Sequence, residues 1–152
     1  MPLGSPTALV KLALLSHALA ATVLTGAVTH LAVVVWAARR GRANPRLMKL
    51  YPAVALVAFG LTFALGALTY PIYRVSVRAA FLDQHAVWAS VLFDLKENLA
   101  VLVAPLLVGA FALTRSAPRR PDPMLALCAW GAAAAVWFNL LAGLLVVSVR
   151  SV

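Results

Sequence analysis

The sequence predicts an all-α integral membrane protein: a bundle of four antiparallel transmembrane helices, with residues 1–152 forming one domain. Three observations predict it. The chain is 64% hydrophobic and only 11% charged, against about 25% charged in soluble domains. Its mean hydropathy is +0.96. Its apolar residues also fall into four long runs, and a helix of about 20 apolar residues crosses a bilayer core.

The first run covers about 9–38. It is too long for a signal-peptide core, which takes about 7–15 residues. Ala18-Leu19-Ala20 mimics a cleavage site, but the run continues to Arg39-Arg40, so it reads as a retained spanning helix, tilted or protruding. A basic stretch follows, with Arg39, Arg40, Arg42, Arg46 and Lys49, and Gly41, Asn44 and Pro45 punctuate it as a turn.

The second run covers about 50–70, with an extension to about 82. Pro71 lacks a backbone donor and is expected to kink or end the helix. Beyond it, Arg74 and Arg78 stand four apart, on one face if this stretch is helical. The third run covers about 86–113; its first half carries charges, and Leu99 to Leu113 carries none. Pro105 within it is expected to kink it. A short basic loop with Arg115, Arg119 and Arg120 leads to the fourth run, about 124–147.

The net charge of +9 does not point to nucleic acid. The basic residues sit in short gaps between apolar runs, where they act as topology determinants. By the positive-inside rule the first and third loops face the cytoplasm, and both termini face outward. Abundant alanine, with arginine exceeding lysine, associates the chain with a GC-rich bacterial genome and hence with a bacterial inner membrane. Cys128 is the one cysteine, which excludes an intramolecular disulfide and a cysteine-built zinc site. No GxGxxG, Walker or HExxH motif occurs, so no catalytic residues stand out.

The polar side chains gather between Leu68 and Asn98. Counting about 20 residues along the second and third helices puts Tyr70, Asp94, Glu97 and Asn98 at one level near the outer leaflet. Tyr73, Arg74 and Arg78 lie just beyond, and Asn139 reaches a similar height on the fourth helix. Asp94, Glu97 and Asn98 share a helical face with Ser90. Lys96 is turned about 160° from Asp94, so it snorkels outward or meets another helix.

Two readings of this cluster stand. In the structural one, Arg74 and Arg78 pair with Asp94 and Glu97 and tie helix two to helix three, since poorly solvated charges must be matched. In the functional one, the ionisable residues mark a site.

The histidines His17, His30 and His85 are candidate cofactor ligands. His17 and His30 are thirteen apart, which leaves their rings about 140° apart around the helix and discourages two stacked haems. A single haem b held by His17 and His85 fits better, or a haem or quinone near His30. The transition-metal reading of His17, His85, Asp94 and Glu97 lacks tight ligand spacing.

The expected function is therefore a small membrane subunit that binds a quinone or haem at the outer leaflet in electron transfer. The alternatives are a structural or assembly protein whose charged rim docks a membrane partner, and a proton-coupled transporter subunit using Asp94 and Glu97. The lipid bilayer is the expected surrounding, with a membrane protein partner or a second copy as further contacts. Gly131 and Ala135 form a small-xxx-small pair, read first as packing within the bundle and second as a dimer face.

Overall fold

The structure is a computed structural model that describes residues 8–116 and 122–150. Four long helices dominate: α1 (Ala8–Arg39), α2 (Pro45–Tyr73), α3 (Val87–Arg115) and α4 (Pro123–Val149). All four are long and apolar enough to cross a membrane. The described residues contain no strand.

Local chemistry sets the boundaries. After α1, the N–H of Gly41 donates to the Ala38 carbonyl and that of Arg42 to the Ala37 carbonyl, a Schellman termination. It requires the positive φ of +80° that Gly41 supplies without steric cost. Asn44 then caps α2: its side-chain oxygen accepts from the N–H groups of Arg46 and Leu47, with Pro45 at the first helical position. The last five residues of the stretch expected as a turn, Pro45 to Lys49, are thus the start of α2. Asp122 caps α4 in the same way, accepting from the Met124 N–H, ahead of Pro123. Arg119 and Arg120 of the expected basic loop lie outside the described residues.

Pro71 does not end the second helix. The chain stays helical through it, then widens into a π-helical segment, Arg74–Leu82, and one further turn, Asp83–His85. Backbone groups near lipid have no water to bond, so a helix that loses one donor loosens its turns and stays helical. α2 and this extension form a continuous helix of 41 residues, about twice what a bilayer core needs. At Ala86 (φ −148°, ψ 59°) the helix breaks and the chain reverses into α3. α3 likewise runs unbroken through Pro105.

The helices form a ring, α1 against α2 and α4, and α3 against α2 and α4. At its centre Leu24 and Val28 of α1 meet Ala55 and Ala58 of α2, Val103 and Leu107 of α3, and Ala132 and Val136 of α4. The alanines of α2 and α4 let each approach its neighbours in the ring closely, and close packing is what holds helices together where lipid is as apolar as the core. Gly131 belongs to this packing: a Cβ there would lie 3.3 Å from Leu106 Cδ1 of α3. The outer faces carry large apolar side chains such as Leu12, Leu19, Val57, Phe63, Val101 and Leu144. That surface suits contact with lipid tails. Thr22, Thr25, Thr62 and Thr114 donate their hydroxyls to the carbonyl four residues back, which removes them from an apolar setting.

Candidate functional site

The site lies where the extended end of α2 runs beside the first half of α3. An apolar floor positions it: Val77, Leu82, Ala86, Ala89, Phe93 and Val146 are buried together, with Tyr70 and Tyr73 packed against them. Phe93 is the hub. Tyr73 stacks on it at 4.3 Å between ring centres, Tyr70 at 6.3 Å, and the Lys96 ammonium lies 4.6 Å over the ring. The residue was not singled out from the sequence. Its spacing held the signal: Phe93, Lys96 and Glu97 stand at i, i+3 and i+4, so a helix puts them side by side.

Arg78 organises the charges. Its two terminal nitrogens donate to the two carboxylate oxygens of Asp94 at 2.6 and 2.9 Å, a bidentate pair. Its Nε lies 3.6 Å from Asp83, and Asp83 also accepts from the Ser90 hydroxyl at 2.6 Å. One guanidinium therefore joins the π-helical segment, the turn at Asp83 and α3. This arrangement differs from the expected pairing of Arg74 and Arg78 with Asp94 and Glu97. Arg74 is exposed and has no ion pair among the described residues. Asp83 takes the second place at Arg78, because the turn after the π-helical segment brings it back toward the guanidinium.

A second group lies deeper along the helices. Glu97 is half-buried, with Tyr70, Lys96, Asp94 and Arg78 as its polar neighbours. Lys96 is half-buried, with its ammonium over the Phe93 ring of its own helix. Among the described residues neither Lys96 nor Glu97 has an ion-pair partner within 4 Å. The Tyr73 hydroxyl is buried and finds no hydrogen-bond partner among them.

The remaining expected residues lie apart. Asn98 is exposed. Asn139 donates its amide to the Ala135 carbonyl of its own helix at 2.9 Å. The histidines do not converge. His17 bridges α1 to α2: its Nδ1 lies 2.9 Å from the Thr62 carbonyl, and its ring packs where Gly66 leaves room. His30 stacks on Tyr51 toward the opposite end, with Nδ1 2.8 Å from the Gly26 carbonyl. His85 is exposed, stacks on Phe81, and has Nδ1 3.1 Å from the Phe81 carbonyl.

A carbonyl can only accept, so in each histidine Nδ1 carries a proton, and in a neutral ring Nε2 is then the acceptor. That is the tautomer a metal or haem ligand uses. Among the described residues, however, no three His, Cys, Asp or Glu side chains gather to hold a metal ion.

No family model matches the sequence, and neither a curated protein nor a solved structure matches it.

Proposed function

We propose that this small multi-pass membrane protein binds the polar head of a lipophilic cofactor, a quinone, between α2 and α3, as a membrane subunit in electron transfer. The observation that carries the reading is the surplus beyond the Arg78 staple. Among the described residues, Lys96 and Glu97 are half-buried without an ion pair, and the Tyr73 hydroxyl is buried without a partner. Leaving a buried hydroxyl unpaired costs about 1–3 kcal/mol, so such groups are generally completed by something else. A quinone supplies what they lack. Its carbonyl oxygens accept from the Tyr73 hydroxyl and the Lys96 ammonium. Glu97 is placed to take a proton from the reduced form, and Tyr70 offers flat apolar contact. The isoprenoid tail would lie along the apolar outer faces. The setting we propose is a bacterial cell membrane with both termini outward, supported by the basic residues between α1 and α2 and after α3.

Organic extraction of the detergent-purified protein tests the reading. Quinone is expected in the extract in near-stoichiometric amount, and Lys96→Gln should lower it. An extract without quinone, from protein purified under mild conditions, removes this reading. An oxidised-minus-reduced absorption spectrum covers the haem alternative: a Soret band that shifts on reduction would put haem in place of quinone, and His17→Ala, His30→Ala and His85→Ala would then assign the ligand.

A second reading rests on Arg74 and Asn98, which are exposed at the same end. They would dock a membrane partner in an assembly role. In that case Arg74→Gln should release a copurifying protein and leave any cofactor in place.

A further inference from the structure

The opposite end of the bundle has a different character. The α1–α2 turn and the end of α3 bring Arg39, Arg40, Arg42, Arg46, Lys49 and Arg115 to one end, all exposed. None of the six has an ion pair among the described residues. The sequence holds four carboxylates, Asp83, Asp94, Glu97 and Asp122. Three are at the far end, and Asp122 is occupied as the cap of α4. The positive field here is thus not neutralised by the chain itself.

Two of the cations lie over aromatic rings. The Arg40 guanidinium lies 4.1 Å from the centre of the Trp36 ring, and that of Arg115 lies 3.9 Å from the centre of Phe111. A guanidinium stacked on a ring of its own helix stays along the helix shaft and does not extend freely into water. Trp36 is of the type that sits at the head-group level of a membrane. With Trp36 at the head-group level, Arg40 would lie at the depth of lipid phosphates, and the other cations stand at the same end of the bundle.

We infer that this end is a docking surface for anionic glycerophospholipids, whose phosphates contact Arg40, Arg42 and Arg46. Charge complementarity and depth select the partner. A ligand here must be negative and must already lie at the head-group level. Clusters of basic residues immediately beside a membrane span draw anionic lipid in this way. The inference is independent of the quinone reading, which concerns the other end.

Native mass spectrometry of the full-length protein in detergent tests it, with an equimolar mixture of phosphatidylglycerol and phosphatidylcholine as the probe. Both ends are reachable in detergent, so altered membrane insertion does not mimic a loss of binding. The expected result is retention of phosphatidylglycerol over phosphatidylcholine by about fivefold or more. The combined variant Arg40→Gln, Arg42→Gln, Arg46→Gln should bring the ratio toward parity, and Arg74→Gln with Arg150→Gln should leave it unchanged. Should the triple variant not fold, the wild-type ratio must still fall toward parity as salt rises. Equal retention of the two lipids, a ratio indifferent to salt, or a ratio that survives the triple variant and is lost with Arg74→Gln and Arg150→Gln would overturn the inference.

Discussion

The two ends of this bundle handle charge in opposite ways. Where α2 extends beside α3, two of the chain's four side-chain carboxylates, Asp83 and Asp94, pair with Arg78, and Glu97 and Lys96 lie nearby. At the other end, six Lys and Arg residues stand with one carboxylate, Asp122, among the described residues. Matched charges can be drawn partly into the apolar rim, because each offsets the other's lost hydration. Unmatched charges of one sign cannot, so they stay exposed and fix how the bundle sits in the membrane. The mixed end is therefore a place where packing depends on charge, and the basic end a place where it does not.

Substitutions can break that contrast. The largest effect is expected where α1 is tied to α2 below the mixed cluster. Gly66 makes room for the His17 ring, and a Cβ at 66 would lie 3.2 Å from His17 Cε1. Gly66→Leu should push the ring off the Thr62 carbonyl and cost about 1–3 kcal/mol, read as a lower melting temperature in detergent. Next comes the staple. Arg78→Ala or Asp94→Asn should cost about 1–2 kcal/mol, since the pair is bidentate but partly open to solvent. A double-mutant cycle should return a favourable coupling between Arg78 and Asp94. The same melting assay on Arg42→Gln or Arg46→Gln should move stability by less than about 0.5 kcal/mol. A large loss there would erase the distinction between the ends. The smallest effect belongs to Tyr73→Phe. It removes a buried hydroxyl that has no partner among the described residues, so the melting temperature should hold or rise slightly.

The fold was largely legible in the sequence because a bilayer imposes a simple rule: spans must be long, apolar and helical. The start of α2 was legible too, since Asn44-Pro45 is a cap followed by a first-turn proline, but its turn-forming character pointed equally to a loop. The site was legible only in part. Helical spacing put Asp94 and Glu97 on one face, and residue counting brought Tyr70 level with them. The π-helical segment was not legible, because nothing in Arg74–Leu82 distinguishes i+4 from i+5 bonding before the packing is known. That segment and the turn after it decide that Asp83, rather than Glu97, joins Asp94 at Arg78. The histidines failed for a related reason. A histidine satisfied by a backbone carbonyl looks the same in sequence as one that waits for a ligand.

A quinone, as proposed, completes the groups left unpaired between α2 and α3 among the described residues. The most direct test is the melting temperature of the purified protein with and without a short-chain quinone, for the wild type and for Tyr73→Phe. A ligand that binds the folded state raises the melting point in proportion to its affinity. The account predicts a clear rise for the wild type and a smaller one for Tyr73→Phe, whose ligand-free stability equals or exceeds that of the wild type. No rise in the wild type, or an equal rise in both proteins, would contradict it.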